Sequence, residues 1–292
     1  MSETPTTPSS APPKPTLSIL RKADRWMALH PFHPRLIPFV VYVLLLMIIG
    51  FVRDAQPDLA VVVHLFQIVL VSAMLYRYRR LMPEITLSFH WLALPIGLIA
   101  AVAWIGLGMG MHELHPYFHA EATPYFEDMS PIAAWIAMTA RLVGMAAVVP
   151  VFEEVFFRSA LLRALQKPET AKITVIQFLD DLPFIGEYTM RTRVSKWADQ
   201  FPRPLADAFE KTPLGAVTLF SIVSTLTLWC LISHIPRDWP GTIACGLLFI
   251  WLVWITNRGT RRMGLGPVIW AHGITNAVLW AYTLQTGDWR FL

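Results

Sequence analysis

The chain has 292 residues, of which 55% are hydrophobic and 15% charged, and its mean hydropathy is +0.48. Soluble domains are usually about a quarter charged, so this composition excludes an ordinary soluble enzyme and indicates a membrane protein whose first partner is the lipid bilayer. An aromatic content of 12% excludes a wholly disordered chain. The net charge of +4 is explained by Lys and Arg retained on one side of a membrane, so we expect no nucleic-acid partner.

The N-terminal region divides into a tail and a short helix. Residues 1–16 are rich in Pro, Ser and Thr and have almost no large apolar side chain, which predicts a disordered tail. Residues 17–30 alternate apolar and basic positions at helical spacing. This pattern favours an interfacial helix with Arg21, Lys22 and Arg25 facing lipid headgroups, and a solvated linker is the alternative.

Seven long apolar runs follow the N-terminal region. Each has about 17–22 residues, enough for a helix to cross the hydrocarbon of a bilayer. The runs are continuously apolar, whereas barrel strands alternate apolar and polar residues. The sequence therefore predicts an all-α fold, a polytopic membrane helix bundle of about seven to eight transmembrane helices. The runs cover 36–52, 59–76, 91–111, 131–152, 214–233, 240–256 and 265–284.

Basic residues indicate the orientation, because short cytoplasmic loops carry an excess of Lys and Arg. Loop 112–130 contains four acids and neither Lys nor Arg, so it is expected outside. We predict a multi-pass protein of the bacterial inner (plasma) membrane with a cytoplasmic N-terminus. The basic residues that follow the second and sixth runs are Arg77, Arg79, Arg80, Arg258, Arg261 and Arg262.

A polar stretch at 164–213 interrupts the apolar pattern and carries acidic and basic residues in equal number. We interpret it as a cytoplasmic insertion with one or two amphipathic helices that lie against the bundle, since it is short for a separate domain. The chain is accordingly divided into N-terminal transmembrane helices over 31–130 and a second membrane region over 131–292 that contains the insertion.

The sharpest polar cluster is the Glu-Glu-x-x-x-Arg sequence at the end of the fourth run. On a helix, Glu154 and Arg158 are four residues apart and can pair. Glu153 points about 100° away and has Phe157 at its own fourth position, so we expect it to be unpaired and partly desolvated, as suits a general base. A charged helix end at the membrane surface is the alternative.

Two further polar groups lie in later runs. His272 and Asn276 are four residues apart on one helical face and can both donate hydrogen bonds to a developing oxyanion. The alternative is that they only hold helices together by hydrogen bonds within the membrane. His234 follows the fifth run, where a histidine by itself is usually an interfacial residue.

The order of these three motifs resembles the CAAX-protease and bacteriocin-processing (CPBP, or Abi) family of intramembrane endopeptidases. The family pattern is Glu-Glu-x-x-x-Arg, then Phe-x-x-x-His, then His-x-x-x-Asn, and the resemblance covers about 131–284. The chain departs from it at Cys230, where the family usually has Phe, at Ser159, where Gly is common, and in the length of the insertion. The final residues 284–292 look like the exosortase-associated subgroup of CAAX prenyl protease-related proteins.

The resemblance implies a catalytic membrane domain over 131–292 that hydrolyses a peptide bond in a membrane-associated protein. By that likeness Glu153 and His234 activate a water molecule, and His272 with Asn276 stabilises the oxyanion. No cofactor is implied. The supporting residues by the same likeness are Glu154 and Arg158.

A zinc mechanism is the main chemical alternative, with Glu153, His234 and His272 as the ligands. The zinc motif His-Glu-x-x-His is absent from the sequence, and we predict no metal. The nearest match is His112-Glu113-Leu114-His115, whose two histidines are three residues apart rather than four.

Other functional classes stay open at this point. A non-catalytic membrane scaffold or immunity-type protein would keep the same polar residues to hold its helices together. A small-solute transporter is less favoured, because no inverted repeat of broken helices is visible. Arg141, within the fourth run, is expected to pair with an acid or with a substrate carboxylate.

The span count creates one conflict. It places Glu153 at the inner face of the membrane and His234 at the outer face, where the two cannot act together. Either the fourth helix continues through Glu153 toward Leu165, or the fifth span is short and tilted. Run lengths do not distinguish the two.

Overall fold

The computed structural model describes residues 19–114, 126, 128–181, 185–201, 209–260 and 262–291. These residues form helices joined by turns, and none of them belongs to a strand. The predicted all-α, polytopic helix bundle is therefore confirmed, while the predicted tail 1–16 lies outside the described residues. In chain order the helices are α1 (Ile19–Leu29), α2 (His33–Ala55), α3 (Pro57–Tyr78), α4 (Ala93–Leu114), α5 (Pro131–Ala164), α6 (Pro168–Asp181), α7 (Ile185–Thr189), α8 (Arg193–Ala198), α9 (Leu219–Ser233), α10 (Trp239–Asn257) and α11 (Gly266–Thr286).

Seven of these helices coincide with the seven apolar runs, but they are not equally suited to cross a membrane. Among the described residues, five are long and apolar enough: α2, α3, α4, α5 and α10. Helix α9 has 15 residues and is only about 22 Å long. Helix α11 has 21 residues, and polar side chains interrupt its apolar surface. By length and composition, the described part of the chain therefore contains five candidate spans.

Helix α5 is continuous for 34 residues, or about 50 Å. It is α-helical over Pro131–Val143 and π-helical over Gly144–Val148 and Glu154–Leu161. The expected end of this run at residue 152 was wrong, because the charged residues that follow are buried by neighbouring helices and do not reach the surface. Glu153 consequently lies inside the bundle.

The loop between α9 and α10 turns back inside the bundle. Trp239 closes it by donating its indole N–H to the backbone carbonyls of Cys230 and His234. A β-carbon added at Gly241 would lie 3.0 Å from the Trp104 ring, so α10 begins level with the middle of α4. Helix α4 continues for ten residues beyond Trp104, or about 15 Å. The hairpin formed by α9 and α10 is shorter, so a space is left between its turn and the end of α4.

Both resolutions of the conflict between Glu153 and His234 therefore apply. Helix α5 runs on past Glu153, and α9 is short because it begins at Leu219 rather than at residue 214, while it ends at Ser233 as expected. A capping box between Thr218 and Ser221 fixes the start of α9.

Close helix contacts place α11 between α4 and α5. A β-carbon at Gly97 would lie 2.7 Å from the Ala271 carbonyl oxygen, and one at Gly273 would lie 2.5 Å from that of Ala146. Thr275 donates its hydroxyl to the carbonyl of Gly97. These contacts let the polar residues of α11 meet the glutamates of α5.

The two polar regions of the chain, the N-terminal segment and the insertion, both contain helices. The predicted helix at 17–30 is observed as α1, with Met27 buried and Asp24 paired to Arg77 of α3 at 2.6 Å. The insertion 164–213 contains α6, α7 and α8, of which α6 contacts both others. Its end is fixed to α5 because Arg163 donates to the carbonyls of Phe209 and Thr212.

Candidate active site

A cavity of about 440 Å³ opens above the α9–α10 hairpin. Its wall includes the four residues that the sequence predicted as catalytic, which come from two helices and the end of a third. The structure thus brings together side chains that are more than 120 residues apart at the extremes. The four are Glu153 of α5, His234 at the end of α9, and His272 and Asn276 of α11.

Glu154 joins two of the predicted motifs. Its Oε2 lies 3.2 Å from Nε of Arg158, as the spacing of four residues predicted. Its Oε1 lies 2.8 Å from Nδ1 of His272, a contact that the sequence did not predict. All three side chains are buried, so the carboxylate is held between a guanidinium and an imidazole away from solvent.

Arg158 is enclosed by aromatic rings. Its guanidinium carbon lies 3.8 Å from the centroid of the Trp229 ring and 5.5 Å from that of Phe249. The three guanidinium nitrogens make no hydrogen bond, because the contact with Glu154 is an ion pair without hydrogen-bond geometry. Cation–π contacts offset part of the cost of burying this charge.

Glu153 faces a different neighbour. Its Oε2 accepts a 3.3 Å hydrogen bond from the indole nitrogen of Trp229. No ion pair within 4 Å is found for Glu153 among the described residues, which fits the expectation that it differs from Glu154. A carboxylate with one weak donor and a position on the cavity wall can accept a proton from water.

The same indole contacts both histidines. The ring centroids of Trp229 and His234 are 5.6 Å apart, and those of Trp229 and His272 are 6.3 Å apart. Trp104 lies against the other side of His234, with ring centroids 5.1 Å apart. The Nε2 atom of His234 is buried and has no hydrogen-bond partner within the described structure, and His234 borders the cavity.

The protonation of His272 follows from its partner. A carboxylate only accepts hydrogen bonds, so with Glu154 ionised the Nδ1–H group of His272 is the donor. This leaves Nε2 of neutral His272 as an acceptor, and only the protonated imidazolium is a donor there. The pairing with Glu154 orients the ring, as carboxylates do for histidines in other proteins.

Asn276 is positioned by the first π-helical segment of α5. Its side-chain amide donates to the carbonyl of Met145 at 2.8 Å, within Gly144–Val148. The widened helix turn frees carbonyls that an α-helix would use internally. An amide group has two N–H donors, so one is left for the cavity that Asn276 lines.

The metal alternatives find no ready-made ligand set. Within the described residues, no group of three His, Cys, Asp or Glu side chains is placed to hold a metal ion. This includes Glu153, His234 and His272 as they stand. In the sequence His112-Glu113-Leu114-His115, the first three residues form the end of α4 and His115 lies outside the described residues.

Sequence reasoning missed Trp229, which contacts Glu153, Arg158 and both histidines. The sequence did contain an indication of its role. Trp229 precedes His234 by five residues, and most other side chains in this run lack a strong hydrogen-bond donor. Reasoning also passed over Arg237 and Arg290, which line the cavity with Arg141. Neither of these two arginines lies within an apolar run, so the hydropathy pattern did not indicate that they line a cavity.

Comparison with known proteins adds no further assignment. No family model, curated protein or solved structure matches this chain.

Proposed function

We propose that this protein is an intramembrane endopeptidase that hydrolyses a peptide bond in a membrane-associated protein. The observation that supports this function best is the shared cavity, which brings a carboxylate, two imidazoles and an amide together inside a helix bundle. A general base, a water-orienting group and oxyanion donors are the parts that peptide hydrolysis by direct water attack requires.

In the proposed reaction, Glu153 takes a proton from a water molecule that His234 orients through Nε2. The water oxygen attacks the peptide carbonyl, and the resulting oxyanion accepts hydrogen bonds from Asn276 and from protonated His272. Glu154 holds His272 in place and balances its charge. Protonated Glu153 then gives its proton to the leaving amine as the C–N bond breaks.

The proposal includes the family and location predicted from sequence. The CPBP family pattern assigns these positions the same roles, and the exosortase-associated subgroup is the finer assignment. We propose a bacterial inner membrane location with the N-terminus in the cytoplasm. The lengths of α5 and α9 support a single site within the bilayer, since they remove the separation between Glu153 and His234.

A direct test uses purified protein in proteoliposomes and a set of internally quenched apolar peptides. We expect wild-type protein to cleave members of this set. Glu153→Gln should lower the rate by about 10²–10⁴-fold, because the amide cannot accept the proton. The substitution keeps an oxygen that can accept from Trp229, so the melting temperature should be unchanged.

Glu113→Gln is the matched control, because Glu113 is exposed at the end of α4. It should cleave at the wild-type rate. Cleavage by Glu153→Gln within a few-fold of wild type would contradict the role of Glu153. If wild-type protein cleaves no peptide, the scaffold or immunity-type function becomes the better account of the cluster.

A further inference from the structure

Helix α8 of the insertion 164–213 has three stripes of side chains that differ in chemistry. Ser195 and Ala198 form the first stripe, and both are buried. Ser195 donates its hydroxyl to Asp180 of α6 at 2.6 Å, and Gln177 of the same helix donates to the carbonyl of Ala198 at 3.1 Å. These contacts fix α8 on α6 and determine which of its side chains remain outside.

The other two stripes of α8 are exposed. Val194 and Trp197 form an apolar stripe, and Arg193 and Lys196 form a basic stripe beside it, because residues three positions apart share one side of a helix. Phe201 follows α8 and lies against Trp197, with ring centroids 5.2 Å apart. An apolar stripe flanked by cations is the pattern of a helix that lies on a membrane.

The apolar stripe continues onto α6. The Lys172 ammonium lies 5.2 Å from the centroid of the Trp197 ring, and Val175 follows Lys172 by three residues on the same side of α6. We call Val175, Val194, Trp197 and Phe201 the insertion patch, and each of them is 36–56% exposed. Large apolar side chains that cluster on a surface mark an interaction site.

Both ends of the insertion lie at the ends of candidate membrane spans. Helix α6 begins at Pro168, shortly after α5 ends at Ala164. At the other end, the Phe209 ring lies 5.6 Å from the Phe32 ring and 4.4 Å from the guanidinium carbon of Arg35. Phe32 and Arg35 lie at the start of α2, which is itself a candidate span. The insertion therefore leaves and rejoins the bundle near the membrane surface.

The charge around the insertion patch favours one kind of membrane surface. Between residues 190 and 201 the chain carries three basic residues and one acid, and all four are exposed. Anionic headgroups attract cations held at the membrane surface, whereas zwitterionic headgroups carry no net charge to do so. The basic residues are Arg191, Arg193 and Lys196, and the acid is Asp199.

We propose that the insertion patch binds the surface of an anionic lipid leaflet. Val194 and the rings of Trp197 and Phe201 enter the boundary between headgroups and acyl chains, while Arg193 and Lys196 contact lipid phosphates. A Trp ring suits this depth, because its body is apolar and its N–H finds polar partners. The inference requires only that the chain is embedded in a bilayer, so it holds whether or not the cavity hydrolyses peptides.

A fluorescent label on the insertion patch tests this in lipid nanodiscs. The chain has two cysteines and both are buried, so Val194→Cys supplies an accessible thiol for a nitrobenzoxadiazole label. The nanodiscs contain phosphatidylcholine alone or mixed with phosphatidylglycerol, and a doxyl group near the headgroup end of the acyl chain is the quencher. Asp199→Cys is the matched control, because Asp199 is exposed and lies about 200° around the helix from Trp197.

The anionic nanodiscs should give the larger signal. We expect quenching about twofold stronger at position 194 than at position 199, because an interfacial helix buries its apolar face about 5–10 Å into the boundary of headgroups and chains. Quenching at position 194 should be weaker in phosphatidylcholine alone. Arg193→Gln combined with Lys196→Gln should remove most of the gain from anionic lipid. Lys167→Gln combined with Arg258→Gln removes two exposed charges outside the patch and should keep that gain.

Three results would overturn the proposal. The first is equal quenching at positions 194 and 199, and the second is quenching at position 194 that does not depend on lipid charge. The third is a blue-shifted label at position 194 that the lipid quencher does not reach, which would assign the patch to a protein partner. Melting curves that match wild type show that a lost signal is not caused by unfolding.

Discussion

Two buried ion clusters lie on α5, and they differ in how completely their polar atoms are paired. In the Glu84 cluster (Arg35, Glu84 and Ser159), the carboxylate accepts two hydrogen bonds from Arg35 at 2.6 and 2.8 Å and one from Ser159 at 2.6 Å. In the Glu154 cluster (Glu154, Arg158 and His272), Oε2 of Glu154 and all three nitrogens of Arg158 lack hydrogen bonds.

The difference is the one expected between a structural site and the active site proposed above. The Glu84 cluster joins α2, the segment before α4 and the end of α5, and its bidentate geometry stabilises that junction. Phe209 of the insertion packs on Arg35 at 4.4 Å and on Arg163 at 3.8 Å. The Glu154 cluster is less well satisfied and borders the cavity, as expected where polar groups serve chemistry rather than stability.

The largest change is expected from Glu154→Gln. It removes the charge that balances Arg158 and leaves a weaker, uncharged acceptor for His272, and breaking a buried ion pair in this way costs about 3–5 kcal/mol. Both the melting temperature and peptide cleavage should fall. Thermal unfolding in detergent, run beside Glu153→Gln, checks this. A variant as stable as wild type would show that Glu154 is not the centre of this cluster.

Asn276→Ala tests the catalytic side of the comparison. Loss of one oxyanion donor costs about 3–4 kcal/mol of transition-state stabilisation, so the rate should fall by two to three decades with little change in substrate binding. Asn276→Asp should be worse, because it puts an acceptor where negative charge develops. Kinetic comparison of the two variants decides the point. More activity in the Asp variant than in the Ala variant would exclude Asn276 as an oxyanion donor.

Glu84→Gln tests the structural side. It weakens hydrogen bonds to a charged partner, and we expect a loss of about 2–3 kcal/mol in the free energy of unfolding. Cleavage per folded molecule should stay within twofold of wild type, since Glu84 does not line the cavity. A fall in activity as large as that of Asn276→Ala would mean that the two clusters are coupled.

The same residue gives a pH prediction. Burial raises the pKa of Glu84, but the hydrogen bonds and charge of Arg35, with help from Ser159, outweigh it and hold the pKa below its usual value. Glu84 therefore stabilises the fold above the pKa of an unfolded glutamate, about 4.3, and this stabilisation is lost as the pH falls through the folded pKa. The difference in melting temperature between wild type and Glu84→Gln should therefore shrink as the pH falls through the pKa of Glu84 in the folded protein.

The smallest effect is expected from metal removal. Dialysis against a strong chelator should leave cleavage unchanged, because Glu153 and His234 suffice to activate water in the proposed mechanism. Complete loss with recovery on adding Zn²⁺ would favour the zinc mechanism, with Glu153, His234 and His272 drawn together by the ion.

The sequence by itself determined the fold class and the candidate residues. Continuous apolar runs of spanning length leave few options other than helices, because backbone groups in hydrocarbon must be paired within the chain. The spacing of Glu154 and Arg158 predicted their ion pair, since helical geometry brings every fourth residue together.

Only the tertiary structure decided how these elements meet. Helix ends depend on what neighbouring helices cover, so the continuation of α5 to Ala164 and the late start of α9 at Leu219 could not be predicted from local hydropathy. The contact of His272 with Glu154 joins residues 118 positions apart. The same holds for Ser159, which looked like a departure from a family pattern and proves to bind Glu84. Such contacts depend on close packing of whole helices, which a one-dimensional pattern does not encode.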